Sequence, residues 1–341
     1  MTKTLLSLFS SNQPLKTPPI WLMRQAGRYL PEYKKTRSQA GSFLELCYNS
    51  ELAEEVTLQP IRRYQFDASI VFADILLIPQ ALGQKLWFEE GEGPRLDPIQ
   101  SADVLDHKDL HKHLAPVYET LSRLSKSLPS ETTLIGFAGA PWTVASYMVA
   151  GRGTTDQAPA KALIQADREK FINLIKYLAD VTSDYLERQV YSGAEVLQIF
   201  ESWAGSLSGN DFEEFCIKPV HRIVKTLRDR GIRVPIIGFP RATDYDLSTY
   251  VKETQINGLS VDQHCNLERL AANLDKDIVI QGNMAPEVLV AGGSNMYSEI
   301  DRICNMLQGR KHIFNLGHGI VPQTPPEHVA DMVHYIRKGH K

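Results

Sequence analysis

Thr133-Leu134-Ile135-Gly136-Phe137, followed within two residues by Gly139-Ala140-Pro141-Trp142-Thr143, is the stretch on which the fold turns. Five uncharged residues read as a buried strand, and Pro141, which has no N–H to lose, suits the first turn of a helix. A strand running straight into a helix is half of a βαβ unit, and the same pairing recurs on both sides. Toward the N-terminus, residues 20–23 and 68–72 read as strands; toward the C-terminus, 196–200, 235–238, 258–261, 278–281 and 312–315 do. Helical spacing fills 51–64, 104–127, 161–190, 211–230 and 296–307. Eight strands alternating with helices imply parallel pairing and right-handed crossovers. The expected fold class is α/β, a single (β/α)8 TIM-type barrel over residues 1–341, with a doubly wound open sheet as the alternative. No internal repeat or low-complexity linker divides the chain. Residues 1–19, polar with scattered prolines, are expected to drape over the surface as an arm. Residues 82–96, with Gly83, Gly91 and Gly93 around Leu86-Trp87-Phe88, are expected to form a hairpin or lid inserted after the second strand.

A chain of 341 residues at 43 % hydrophobic content can bury one large core. Lys and Arg number 37 against 40 for Asp and Glu, a net charge of −3, so no global positive field recruits nucleic acid or a membrane. No apolar run approaches the roughly 18 residues a membrane helix needs, and residues 5–9 are too short and too weakly basic for a signal peptide. A cytoplasmic location is expected. The cysteines Cys47, Cys216, Cys265 and Cys304 are widely spaced, with no CxxC, and read as buried thiols in a reducing compartment.

In a barrel, residues just past each strand converge on one mouth. Arg24 and Arg28 follow the first strand in Met23-Arg24-Gln25-Ala26-Gly27-Arg28-Tyr29-Leu30-Pro31, with Arg37 nearby. Ala26 and Gly27 leave backbone N–H groups unshielded, so a carboxylate can meet main-chain donors and a guanidinium fork together. The competing reading pairs Arg24 and Arg28 with local acids such as Glu32. Asp74 follows the second strand, embedded in Phe72-Ala73-Asp74-Ile75-Leu76; an acid there costs several kcal/mol to desolvate unless a cation or donors meet it. It can also cap the next helix. Tyr147 lies a turn and a half into the helix after the third strand, where core packing is an equal alternative. Ser202 follows the fourth strand without a GxSxG elbow, so a turn residue is favoured over a nucleophile. His318, between Gly317 and Gly319, is open as a turn residue, a phosphate contact or an acid-base group. A phosphate site there, with Gly282-Asn283, is disfavoured because the arginines gather after the first strand.

The segments 23–31, 72–76, Ala140-Pro141-Trp142-Thr143, Tyr147-Met148-Val149 and Asn315-Leu316-Gly317-His318-Gly319 resemble the motifs of the uroporphyrinogen decarboxylase family, in that family's order and spacing. The resemblance implies a single distorted barrel, a homodimer with facing mouths, and no metal, prosthetic group or other cofactor. It implies uroporphyrinogen as substrate, whose four acetates become methyls with loss of four CO2 to give coproporphyrinogen. Carried across residue by residue, Arg24, Arg28 and Arg37 take the substrate-arginine positions, and Gln25 and Ala26 supply backbone donors. Asp74 takes the acid facing the pyrrole N–H groups, while Tyr147, Ser202 and His318 match peripheral polar ligands. Two departures are visible: Glu201 stands where Asp is expected, and Ala150-Gly151-Arg152 replaces a more acidic, glycine-rich continuation.

Loss of CO2 from a pyrrole acetate leaves a carbanion unless the ring is first protonated to an iminium. A fixed carboxylate at the pyrrole nitrogens stabilises that charge as it develops, and Asp74 is expected to do so, kept ionised by arginines that outweigh its burial. Arg37 or Arg28, with a water, is favoured over His318 as proton source. Two rival functions remain: a zinc-dependent corrinoid or thiol methyltransferase, disfavoured because Gly238-Phe239-Pro240-Arg241 offers no zinc ligand, and a non-catalytic tetrapyrrole binder, for which Asp74 has little use.

Overall fold

Seven strands lie side by side in one parallel sheet in the computed structural model, which describes residues 3–11, 13–89 and 91–339. They are β1 (Ala68–Ile70), β4 (Thr133–Gly139), β5 (Val196–Glu201), β6 (Ile236–Pro240), β7 (Gly258–Ser260), β8 (Val279–Gln281) and β9 (His312–Ile313), neighbours in that order. β2 (Leu86–Glu89) and β3 (Gly93–Leu96) form a separate antiparallel hairpin. The sheet curls so that its two edges meet the same residue. Ile20 bridges Phe314 beside β9, and its carbonyl accepts the Asp67 N–H beside β1 at 2.9 Å. The strand expected over 20–23 is therefore corrected to a single bridging residue. The chain turns away at once because Met23 gives its N–H to the Asn315 side chain at 3.0 Å rather than to a strand.

Helices cover the outside because their apolar residues recur every three or four positions. In the helix Arg168–Tyr191, capped by the Asp167 side chain on the Lys170 N–H, Phe171, Leu174, Ile175, Leu178, Leu186 and others face the sheet. The expected helix over 161–190 is in fact two, Ala158–Ala166 and Arg168–Tyr191, parted at Asp167.

The arm needs correction too. The helix Thr4–Ser10 buries Leu5 and Leu8 completely, against Ala68, Ile135, Val196, Ile237, Val279 and Ile313, one residue from nearly every strand. These are positions near the strands' N-terminal ends, so the helix plugs that end rather than lying on the surface. Residues 1, 2 and 12 of the expected arm, residue 90 of the expected hairpin and residues 340–341 lie outside the described residues. Above the plug sits a buried polar layer: the Gln281 amide donates to Gln198 at 3.0 Å and Ser260 at 3.1 Å, and accepts from the Trp21 indole at 2.9 Å. Beyond it the strands open at their C-terminal ends.

Candidate active site

The Arg24 turn is built by residues far away in sequence. Asn315 accepts the Met23 N–H, and Ile320 donates its N–H to the Met23 carbonyl at 2.9 Å. Between those pins Arg24 takes a left-handed backbone, φ 61°, which a residue with a β-carbon adopts only at a cost of order 1 kcal/mol or more. Its stem crosses Gly319 so closely that a β-carbon there would lie 2.4 Å from Arg24 Cδ. Arg24 and Arg28 are exposed at the mouth, and among the described residues neither guanidinium makes a hydrogen bond or ion pair. Glu32, the local acid that offered the bland alternative, is held instead by Arg63 through two bonds of 2.8 and 2.9 Å. Arg37 gives one N–H to the Gly41 carbonyl at 3.0 Å. Its field reaches Tyr33 and Cys47, and that of Arg28 reaches Tyr33.

Gln25 differs from expectation. Its N–H is spent on the Leu22 carbonyl at 3.0 Å, and its buried side chain ties Leu22 to Ala68 in β1. It braces the turn and has no backbone donor to offer. The Ala26 N–H has no protein acceptor among the described residues.

Asp74 sits half-buried beyond β1. Its Oδ1 accepts the Leu76 N–H at 2.8 Å, so the capping alternative holds for one oxygen, while Oδ2 has no protein partner. Burial pushes the carboxyl above its ordinary range, opposed by the Leu76 N–H and by Arg24. The expectation that nearby arginines outweigh burial is thereby overturned, since of the three only Arg24 is close enough to count. Tyr147, on the helix Pro141–Ala150, is raised by burial and then by Asp74, and lowered by Arg24, which puts these three groups in one site. Its ring packs against Trp203 at 6.0 Å between centroids. Leu86 and Leu96 of the β2–β3 hairpin, with Phe88, pack against Leu76 and Tyr147. The hairpin is also tied to the Ala150-Gly151-Arg152 loop by the Leu96 N–H on the Gly151 carbonyl at 2.8 Å.

His318 Nδ1 accepts the Gly319 N–H at 2.6 Å, which leaves Nε2 to carry the proton of the neutral ring. Burial, Arg241 and Arg24 bring its pKa down to about 4. At neutral pH it is a hydrogen-bond donor without charge. Ser202 lies in the turn after β5, half-buried, its hydroxyl without a protein partner among the described residues. The structure thus brings Arg24, Asp74, Tyr147 and His318 together, sets Arg28 and Arg37 around Tyr33 beside them, and leaves Gln25 out.

Sequence reasoning missed two roles here. Glu201, fully buried at the end of β5, accepts the Thr143 N–H at 2.7 Å and the Thr143 hydroxyl, while that hydroxyl accepts the Trp203 N–H at 3.2 Å. Burial raises its carboxyl to about 8, so it holds a proton at neutral pH. Glu201 therefore locks the helix start to the Trp203 turn, one helical turn before Tyr147. Arg241 is the other: it directly follows β6, at a strand end like Asp74, and the lack of zinc ligands there says nothing of a cation. The strand-end rule that found Asp74 would have found it.

The family model described as Uroporphyrinogen decarboxylase (URO-D) matches residues 1–339. The uroporphyrinogen decarboxylase of Paracoccus denitrificans (strain Pd 1222) is 52 % identical over 339 residues, 98 % of this chain and 99 % of that protein. That of Ruegeria pomeroyi is 51 % identical over 342 residues, 99 % of each chain. Among solved structures, a methyltransferase from Methanosarcina mazei superposes with a TM-score of 0.81 at 16 % identity, covering 99 % of both chains. At that identity the likeness is one of fold.

Proposed function

Since this chain belongs to the uroporphyrinogen decarboxylase family, we propose that its mouth receives uroporphyrinogen and converts the four acetates to methyls, releasing four CO2 and leaving coproporphyrinogen for tetrapyrrole biosynthesis. The enzyme is a carboxy-lyase. The observation that carries the reading is Asp74: a carboxyl at the strand ends with one oxygen free, facing Arg24 and Tyr147.

Each turnover begins with a proton added to the pyrrole carbon next to the acetate-bearing carbon, which makes the ring nitrogen an iminium. The C–CO2 bond then breaks, its electron pair neutralises the iminium, and a second proton on the exocyclic carbon gives the methyl as the ring releases the first. The net change per acetate is one proton in and one CO2 out. Asp74, ionised when the pyrrole N–H groups face it, lowers the barrier through charge attraction. At about 1.4 kcal/mol per tenfold, a contribution of roughly 3 to 4 kcal/mol supplies two to three powers of ten.

Arg24 and Arg28 take substrate carboxylates, helped by the Ala26 N–H. The unpaired state of both guanidiniums supports this, because a charge without a protein partner is available to a ligand. Tyr147, Ser202 and the neutral His318 serve as polar contacts. The proton comes from the Arg28–Arg37 side through water. A His318 pKa near 4 supports that choice, since a ring already neutral has no acidic proton to give. His318→Ala is expected to raise KM with kcat retained, and Arg37→Ala to lower kcat; the reverse pattern would exchange the two roles.

The seven strands with Ile20 across their edges are taken as one closed, distorted (β/α)8 domain, and the β2–β3 hairpin as a lid over Tyr147. Among the described residues no helix is long and apolar enough to cross a membrane, in keeping with a cytoplasmic enzyme. The homodimer with facing mouths is carried over from the family and is checked by the mass in solution from sedimentation equilibrium. The function itself is tested by mixing the purified chain with uroporphyrinogen under reducing conditions. Four CO2 per tetrapyrrole and coproporphyrinogen are expected; a bound but unchanged substrate would make it a tetrapyrrole carrier.

A further inference from the structure

Arg241 leaves β6, and β6 is the strand farthest from the Arg24 turn. Counting around the sheet from Ile20, it comes after β1, β4 and β5 in one direction and after β9, β8 and β7 in the other. The cations that follow Ile20 and the one that follows β6 therefore stand on facing walls of the mouth.

The backbone that carries Arg241 is held from every side. Its N–H donates to the Glu201 carbonyl at 3.1 Å and its carbonyl accepts the Gly205 N–H at 3.0 Å. The next N–H, of Ala242, donates to Asp262 Oδ2 at 2.5 Å, and Ala242 is left-handed at φ 58°. Gly205 passes so close that a β-carbon would fall 1.9 Å from the Ala242 carbonyl oxygen, so only glycine fits there. These bonds fix the backbone of Arg241 and the left-handed turn at Ala242 that follows it, so the point from which the Arg241 side chain leaves the strand is set.

That side chain has nothing in the protein to bind. Arg241 is half-buried, its Nε is fully buried without a hydrogen-bond acceptor, and among the described residues its guanidinium makes no ion pair. Asp262, the nearby acid, has both oxygens engaged by backbone N–H groups, Oδ1 by His264 at 2.8 Å and Oδ2 by Ala242. A guanidinium that has lost water on one side and gained no anion is costly as it stands. The cost is recovered when an anion arrives. The fields of Arg241 and Arg24 both reach His318, which lies between the β9 end and the Arg24 turn.

We propose that Arg241 is a further substrate-binding residue, which takes a carboxylate on the rim of the macrocycle opposite the one held by Arg24 and Arg28, with Asp262 positioning its backbone. The proposal rests on the tetrapyrrole reading given above. A macrocycle with carboxylates all around its edge is gripped from one side only by the Arg24 turn. A fork on the facing wall centres it, so that each pyrrole in turn can meet Asp74.

Binding of two stable oxidised probes, uroporphyrin with eight carboxylates and coproporphyrin with four, is to be titrated by fluorescence on wild type, Arg241→Gln and Arg241→Lys. A charge-assisted bond worth about 1.5 to 3 kcal/mol predicts a roughly 10- to 100-fold loss of affinity in Arg241→Gln. Arg241→Lys should recover part of it, and both variants should melt with wild type. In turnover KM should rise by a similar factor while kcat for the first acetate stays within threefold. Wild-type affinity for both porphyrins in Arg241→Gln would overturn the proposal. So would equal losses in Gln and Lys variants together with a lowered melting temperature, which mark a structural role. If wild type binds these probes but releases no CO2 from uroporphyrinogen, decarboxylation fails as a function while the titration still judges Arg241.

Discussion

The two ends of the one sheet are built on opposite rules. At the N-terminal end, Leu5 and Leu8 are completely buried against aliphatic residues from the strands, and the helix that carries them has ordinary backbone throughout. At the C-terminal end, Arg24 and Ala242 are left-handed, Arg24, Arg28 and Arg241 have no ion-pair partner among the described residues, and the carboxyls of Asp74 and Glu201 are raised by burial. The first end contributes stability. The second consumes it, and the difference marks where the chemistry is placed.

Leu8→Ala attacks the stable end. Removing a fully buried leucine should cost about 2 to 5 kcal/mol of unfolding free energy, measured by denaturant titration, with KM for uroporphyrinogen unchanged. A cost below about 1 kcal/mol would return the arm to the surface.

Glu201→Gln sharpens the contrast through pH. The folded carboxyl titrates near 8 and the unfolded one near 4.5, so the native state keeps a proton that the unfolded chain releases between those values. Wild-type stability therefore falls as pH rises across that window, by roughly 3 to 5 kcal/mol at about 1.4 kcal/mol per unit. The glutamine variant, neutral throughout, should lack that slope. Parallel stability curves from pH 5 to 8 would contradict it.

Arg24→Gln tests whether the unpaired charges belong to the ligand. With no protein bond to lose, the variant should melt with wild type, while KM rises roughly 10- to 100-fold. A fall in melting temperature with KM unchanged would make Arg24 structural.

What could be read beforehand follows the same division. The strand-helix alternation was legible because buried parallel strands and amphipathic helices are local patterns: Thr133–Gly139 with the helix from Pro141, and the later strands, lie where hydrophobic runs placed them. Residues 20–23 misled because an apolar run looks the same whether its N–H groups meet a strand or, as at Met23, the side chain of Asn315, some 290 positions on. The arm misled because Leu5 and Leu8 are apolar among polar neighbours, and nothing local says that a cavity awaits them. At the site, residue types at strand ends pointed to Arg24, Asp74, Tyr147 and His318. The protonation states did not follow, because burial of Asp74, His318 and Glu201 is set by elements remote in sequence. Arg241, at the end of β6, is as legible as Asp74 by the same rule.

Asp74→Asn joins both ends of the comparison in one protein. A carboxyl raised by burial costs stability once pH exceeds its ordinary range, so the neutral variant should be as stable as wild type or more so at pH 7, and should bind uroporphyrin. Single-turnover CO2 release from uroporphyrinogen by that variant is the decisive measurement. A rate 100- to 1000-fold below wild type, in a folded protein that still binds the ring, is the predicted result; a rate within about fivefold of wild type would contradict the role of a buried negative charge at the heart of the reaction.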